Sequence, residues 1–298
     1  MKSDVYTQVT EQIVAELEKG VKPWTQPWNA THAAGPVSRP LRVSGQAYRG
    51  INVLMLWGAS MAGNYAAPIW MTYRQAQELG GQVRKGEKGS PVVYADKLVK
   101  SETDEATGED AERTIAYMKS YTVFNVEQID GLPAHFYARA QANSDPIERI
   151  ADAESFFAAT KADIRHGGAS AYYSPASDHI QMPDFETFRT NEGYYATLAH
   201  EATHWTNHAS RLDRDLGRKH MGDEGYAREE LVAELGAAFL CADLGLKLED
   251  RADHASYIAS WLKVLKDDKR AIFSAAAHAQ RAADYLNDLR EAQKQQAA

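Results

Sequence analysis

The segment HEATH, residues 200–204, places two histidines four positions apart, with a glutamate directly after the first. On a helix, positions i and i+4 lie on the same face, so His200 and His204 can direct their imidazoles at one metal ion. Glu201 is rotated by one position and would stand beside the open coordination position of that ion. There it could accept a proton from a water that the ion acidifies to a pKa of about 7. The pattern predicts hydrolytic metal chemistry; the alternative is a helix that carries histidines for other reasons.

A third protein ligand would complete such a site. His208 continues the i+4 series, but a straight helix carries it about 6 Å along the axis, so we do not expect it to reach the same ion. The segment REELVAELGAAFL, residues 228–240, predicts an apolar helix with Glu230 and Glu234 one turn apart. Buried carboxylates are costly unless they are paired or bind a cation. We predict Glu230 as the ligand and Glu234 as the acceptor that orients a ligand histidine, with the reverse assignment as the alternative. Glu229 is expected to face solvent.

Zinc is the ion expected for two histidines and one glutamate, although manganese, cobalt or iron can use the same ligands. The elements that must position this site are predicted to form a second domain, residues 136–298, that is mostly helical with a small sheet. Its strand pair turns at PASD, residues 175–178. Its helices are predicted over residues 146–160, 191–209, 225–244, 253–265 and 268–291.

The first domain, residues 1–135, is predicted to be α+β, so the fold class of the whole chain is α+β. It opens with an amphipathic helix over residues 3–19, followed by a loop rich in proline and tryptophan. Two strands further on are separated by the acidic segment of residues 101–112, which predicts an exposed hairpin tip or a disordered insertion.

Cations and aromatic residues are interleaved through the first hundred residues. Single-stranded DNA is bound by cations that follow the phosphates and by aromatic rings that stack on bases. These residues therefore predict a single-stranded DNA interface, with the core as the alternative place for the aromatics and as our prediction for Trp57. The predicted DNA-binding residues are Lys22, Trp24, Trp28, Arg39, Arg42, Tyr48, Arg49, Trp70, Tyr73, Arg74, Arg84, Lys85 and Lys88.

Charge and composition narrow the class of protein. The net charge is -8, yet residues 1–100 carry 12 Lys+Arg against 7 Asp+Glu, which favours a polyanion partner for the front of the chain alone. No apolar run is long enough to cross a bilayer and the N-terminus lacks a secretion signal, so we expect no membrane partner. Cys241, the single cysteine, lies in an apolar run and is expected to be a buried, inert thiol of a cytoplasmic protein.

Longer segments carry a family resemblance. HEATHWTNHASRL and REELVAELGAAFL resemble the zincin-like metallopeptidase domain of the ArdC-type antirestriction proteins of conjugative plasmids and other mobile elements. YTQVTEQIVAELEKGVKPWTQPW, YRGINVLMLW and WMTYRQAQELGGQVRKGEKGSPVVY resemble the single-stranded DNA-binding domain of the same proteins and of certain plasmid primases. The resemblance covers nearly the whole chain.

The resemblance implies that the protein protects incoming DNA from host restriction during conjugation, by shielding the strand or by cleaving a host protein. It further implies that DHIQMP, residues 178–183, is an edge strand that binds a peptide substrate by strand addition. The alternative is a DNA-coating protein with a structural or vestigial metal site and no proteolysis. A primase activity finds little support, because the chain has neither a clustered aspartate motif nor a Gly-rich phosphate loop.

Overall fold

A computed structural model of the chain describes residues 4–24, 38–103, 110–137, 146–217, 220, 222–246 and 254–297. The helices are α1 (Val5–Glu18), α2 (Ile51–Gly63), α3 (Tyr73–Glu78), α4 (Pro146–Thr160), α5 (Asn191–Trp205), α6 (Glu224–Leu244), α7 (His254–Asp267) and α8 (Ala271–Ala297). The strands are β1 (Leu41–Arg42), β2 (Ile69–Met71), β3 (Gln82–Val83), β4 (Ser90–Thr103), β5 (Asp110–Asn125), β6 (Ile129–Asp130), β7 (Asp163–His166), β8 (Tyr172–Ser174) and β9 (His179–Met182). The predicted α+β fold is confirmed, including the mostly helical C-terminal half with its small sheet.

Local sequence sets the ends of α5 and α6, the two helices predicted to carry the metal site. The side chains of Thr190 and Asp223 accept hydrogen bonds from backbone N–H groups in the first turns of α5 and α6, respectively. Gly245 ends α6 in the left-handed conformation, with a φ of 67° that glycine adopts without strain. Because α5 ends at Trp205, His208 lies beyond the helix that carries the two histidines of the motif.

The helices α5 and α6 pack closely against one another. A Cβ added at Gly236 of α6 would lie only 2.5 Å from side-chain atoms of Thr203 on α5, so this contact requires glycine. The close approach brings the histidines of one helix within reach of the glutamates of the other.

Two sheets form in the N-terminal half. The larger has the strand order β1-β2-β5-β4, and its hairpin pairs Ser90 with Val123 and continues to Thr103 opposite Asp110. The two predicted strands on either side of the acidic segment therefore pair as a hairpin, while residues 104–109 at its tip lie outside the described residues. A smaller sheet pairs β3 with β6.

The sheet of the C-terminal half corrects one prediction. Its order is β7-β9-β8, so the segment DHIQMP forms the central strand and not an edge. The reason is β7, a short strand that the sequence reading missed, which pairs in parallel with β9 on the side away from β8. The turn at residues 175–178 joins β8 to β9 as predicted.

The buried core is continuous across residue 135. Leu17 of α1, Trp57 of α2 and Trp261 of α7 belong to one cluster of buried residues. The Trp57 ring lies 6.0 Å from that of Phe239 on α6, so its predicted core position is confirmed. Cys241 is fully buried as predicted, and burial raises the pKa of its thiol to about 12. Within the described part of the chain, no helix combines the length and apolar character needed to span a membrane.

Candidate metal centre and DNA interface

The helices α5 and α6 bring His200, His204 and Glu230 together. One ligand atom from each lies within 4.8 Å of the other two. His200 Nε2 is 3.5 Å from Glu230 Oε2, and His204 Nε2 is 3.6 Å from Glu230 Oε1. Both imidazoles thus turn the same nitrogen toward one carboxylate, in the set of two nitrogens and one oxygen that catalytic zinc sites use.

Two further glutamates face the opposite nitrogens of the same rings. Glu229 Oε1 lies 3.2 Å from His204 Nδ1, at hydrogen-bond distance, whereas Glu234 Oε2 lies 3.7 Å from His200 Nδ1, an ion-pair contact longer than a hydrogen bond. We call Glu229 and Glu234 the outer carboxylates. A carboxylate that accepts the Nδ1–H of a histidine fixes its tautomer and leaves Nε2 free to bind a metal.

The structure corrects the prediction that Glu229 faces solvent. Glu229 is 3% exposed, and Arg214 binds both of its oxygens, with Nη2 at 2.6 Å and Nε at 3.0 Å. Arg214 also donates to Thr206 and to the backbone of Thr203, which ties it to the end of α5. Glu229 is therefore part of the support for His204, together with an arginine that the motif does not include.

The charge of the cluster favours a divalent cation. Glu201, Glu229, Glu230 and Glu234 are all buried, and the buried cations beside them are Lys22 and Arg214. Four carboxylates against two cations leave a charge of about -2 when the histidines are neutral, which one divalent ion would cancel. Uncompensated buried charge is costly, so this donor set fits a bound metal.

Mutual contacts between His204 and the carboxylates shift the pKa values of both kinds of group. Burial raises the pKa of Glu230, but hydrogen bonds and charge from His200 and His204 outweigh it and hold that pKa well below its usual range. Burial lowers the pKa of His204, but its bonds to Glu229 and Glu230 prevail and raise the pKa to about 10. A metal ion that binds here must therefore displace a proton from His204.

Glu201, the predicted proton acceptor, is buried directly after His200 on α5. The tyrosines before the motif serve packing, since Tyr194 and Tyr195 are buried and their hydroxyls bond to His166 and Glu154.

The structure corrects the predicted DNA contacts of five residues. Trp24, Tyr48 and Trp70 are at most 3% exposed, and the charged groups of Lys22 and Arg39 are also buried. None of these five side chains offers a face to a nucleic acid. Trp28 lies outside the described residues.

The buried cations have carboxylate partners in the C-terminal half. Lys22 Nζ lies 3.3 Å from Glu234 Oε1. Arg39 binds both oxygens of Asp243 at 2.7 Å. Both residues therefore join the two halves of the chain.

The other predicted cations are exposed, and several are paired with acids. Arg49 pairs with Asp284, and Arg74 pairs with Glu78 on the same exposed helix face at 2.8 Å. The partners of Arg84 are Glu87 at 2.8 Å and Asp130 at 3.4 Å. Such surface pairs exchange partners at little cost. Arg42, Tyr73, Lys85 and Lys88 are also exposed, and neither lysine has an ion pair within the described ranges.

Two exposed tyrosines were not among the residues predicted from the sequence. Tyr94 and Tyr121 are 50% and 38% exposed on β4 and β5. Tyr94 pairs with Lys119, and Tyr121 lies two positions from Lys119, so all three share one face of the hairpin. Arg42 stacks on Tyr48, and Tyr121 is close enough to contribute to the raised pKa of Tyr48, which is due mainly to burial. We call Arg42, Tyr94, Lys119 and Tyr121 the hairpin face.

Comparison with known proteins assigns a family to each half. Residues 3–124 match the N-terminal domain of anti-restriction factor ArdC, and residues 151–278 match the zincin-like metallopeptidase family. An uncharacterized protein of Sinorhizobium fredii, y4eC, is 47% identical over 292 residues, which are 96% of this chain and 92% of that protein. A DNA primase TraC of Escherichia coli is 41% identical over 96% of this chain, but the chain spans only 27% of that primase.

Two solved structures resemble nearly the whole chain. The metal-free crystal structure of antirestriction protein ArdC from plasmid R388 has a TM-score of 0.80 and 50% identity, and covers 97% of this chain and 98% of its own. The Mn(II)-bound structure of ArdC from the same plasmid has a TM-score of 0.77 and 48% identity over the same fractions. The chain therefore belongs to the ArdC family of antirestriction proteins.

Proposed function

We propose that this protein protects the DNA of a mobile element from host restriction during conjugation, by binding single-stranded DNA and hydrolysing a peptide bond of a host protein. The observation that carries the peptidase half is the convergence of His200, His204 and Glu230, with Glu201 beside them on α5. Two histidines and one glutamate bind the catalytic zinc ion in hydrolytic enzymes. We propose zinc as the ion, with manganese, cobalt or iron as alternatives.

The protein side chains have separate tasks in this proposal. His200, His204 and Glu230 hold the ion, which when bound supplies Lewis acidity toward water and a peptide carbonyl. Glu201 accepts the proton of the attacking water and delivers it to the leaving amine. Glu229 lies at hydrogen-bond distance from His204 Nδ1, and Glu234 places its charge 3.7 Å from His200 Nδ1, so both carboxylates favour the tautomer that leaves Nε2 available.

A peptide substrate would bind in extended form. Strand addition requires an edge, and β9 is enclosed by its two neighbours. Of the two edge strands, β8 lies against α5 and exposes Tyr172. We propose the open side of β8 as the place where the substrate backbone pairs.

The DNA half of the proposal uses exposed side chains. The hairpin face offers two exposed tyrosine rings for stacking and two cations for phosphates, and Lys85 and Lys88 add positive charge in the turn before β4. Arg49, Tyr73, Arg74 and Arg84 remain candidates for contacts at the margin of that surface.

A second candidate is a DNA-coating protein whose metal serves structure. The burial of the site favours it, since His200 and Glu230 are 6% and 8% exposed and Glu201 is 3% exposed. In that case the ion would hold α5 and α6 together, and protection from restriction would come only from the protein that coats the single-stranded DNA.

A Glu201→Gln variant tests the proposal, because it should keep the metal ligands while removing the proton acceptor. Plasmid transfer into restricting and non-restricting recipients would be compared for the wild type, Glu201→Gln and a deletion. We expect Glu201→Gln to transfer as poorly as the deletion into restricting recipients only. Full protection by Glu201→Gln, with metal content unchanged, would support the DNA-coating function instead.

A further inference from the structure

One carboxylate joins the metal centre to the N-terminal half of the chain. Glu234 turns Oε2 toward His200 Nδ1 at 3.7 Å. Its other oxygen, Oε1, accepts from Lys22 Nζ at 3.3 Å and from Trp24 Nε1 at 3.4 Å. More than 200 positions separate these donors from Glu234 in the sequence.

The donors are held in place by packing. Trp24 is 1% exposed, and its ring meets that of Trp261 on α7 edge to face at a centroid distance of 5.8 Å. Lys22 is 5% exposed. A buried ammonium and a buried indole N–H aimed at one carboxylate oxygen fix the rotamer of that carboxylate.

Among the described residues, the other outer carboxylate has no such link to the N-terminal half. Glu229 is held by Arg214, from the segment that follows α5. His204 is thus supported from within the metallopeptidase region, whereas His200 is supported through Glu234 by residues of the ArdC N-terminal domain.

We propose that Lys22 and Trp24 are positioning residues for the metal centre, and that docking of the segment at residues 21–24 and metal binding strengthen one another. The proposal rests on the metal centre proposed above. It makes the N-terminal domain a structural component of the peptidase site. By reciprocity, whatever this docking adds to the affinity for metal, the metal returns to the stability of the docked segment.

The chain supplies a matched pair of variants for the test. Trp24→Phe removes the indole N–H that binds Glu234. Trp261→Phe makes the same change on the neighbouring ring, whose Nε1 has no hydrogen-bond partner among the described residues. Titration of purified full-length protein with Mn²⁺ should show weaker binding for Trp24→Phe, by at most about 10-fold, because Trp24 contacts Glu234 and not the ligand histidine, and loss of a ligand's direct partner costs about 10–100-fold. Trp261→Phe should bind as the wild type does.

A Lys22→Met variant separates positioning from simple charge. Removal of a cation near the site should strengthen Mn²⁺ binding if Lys22 acts only through its field, and should weaken it if Lys22 holds Glu234 in place. We expect weaker binding, with partial recovery in Lys22→Arg. Stronger binding by Lys22→Met, or equal affinities for Trp24→Phe and Trp261→Phe, would overturn the proposal.

Hydrogen exchange on unmodified protein gives a readout that needs no change in the docked segment. Mn²⁺ should slow amide exchange over residues 17–24, and the slowing should vanish in Glu234→Ala. Unchanged exchange in wild-type protein that does bind Mn²⁺ would overturn the linkage alone. Failure of the wild type to bind Mn²⁺, Zn²⁺ or Co²⁺ would overturn the metal centre and this proposal with it.

Discussion

At the candidate metal centre, four carboxylates, two cations and His200 are buried and His204 is partly buried, whereas the cations of the hairpin face and the turn before β4 lie in solvent. A buried charged group stays paired with one partner, because without that partner the charge would be desolvated and uncompensated. An exposed pair such as Arg74 with Glu78 can give way to a phosphate at little cost. The first arrangement suits a site that must hold fixed geometry, and the second suits a strand of any sequence.

Substitution of a buried glutamate at the metal centre should have the largest effect on metal binding. Glu230→Ala removes a direct ligand, so metal content after dialysis should fall to background. Glu234→Ala removes an outer carboxylate and should weaken binding by about 10–100-fold without abolishing it. Metal analysis and titration of both variants decide which glutamate is the ligand. The reverse order of losses would make Glu234 the third ligand.

Arg214 tests whether the buried network behaves as one unit. Arg214→Met leaves Glu229 buried without its cation, and should cost about 3–5 kcal/mol in the free energy of unfolding. Arg74→Met, which breaks an exposed pair, should stay within about 1 kcal/mol of the wild type. Urea denaturation of the two variants makes the comparison. Equal losses would show that burial does not distinguish the two pairs.

A Tyr121 variant tests whether the hairpin face binds DNA. If its ring stacks on a base, Tyr121→Ala should cost about 1–3 kcal/mol in binding to a single-stranded oligonucleotide, measured by fluorescence anisotropy. Tyr172→Ala removes a similarly exposed tyrosine from β8 and serves as the control. Equal affinity for the two variants would remove the hairpin face from the DNA interface.

The lysines of the turn before β4 should have the smallest effect. Lys85→Gln and Lys88→Gln should each lower the slope of log K against log salt by about 0.7, as expected for one phosphate contact to a single strand. The loss should be the same for oligonucleotides of different sequence. An unchanged slope would mean that these ammonium groups do not approach the phosphates.

Helical spacing made the convergence of the candidate metal ligands predictable, because HEATH and the pair Glu230 and Glu234 each repeat at one turn. The solvent-facing position predicted for Glu229 is wrong because α6 is buried on nearly every side. The segment from Leu231 to Leu244, which is apolar except for Glu234 and Asp243, indicates this burial. Arg214 belongs to no motif, and only packing brings it to Glu229.

The proposed DNA interface was less predictable, because interleaved cations and aromatic residues also occur where two regions of a protein pack together. The rings of Trp24, Tyr48 and Trp70 are buried in the core. Arg39 forms an ion pair with Asp243, about 200 positions away in the sequence. The misassigned edge strand has a similar cause, since its outer neighbour β7 is only four residues long.

The most direct test is a crystal structure of this protein grown with Mn²⁺ and recorded for its anomalous signal. The account predicts one strong peak bound by Nε2 of His200, Nε2 of His204 and a carboxylate oxygen of Glu230, at about 2.0–2.2 Å from each. A peak on other side chains, or none between α5 and α6 at saturating Mn²⁺, would contradict it.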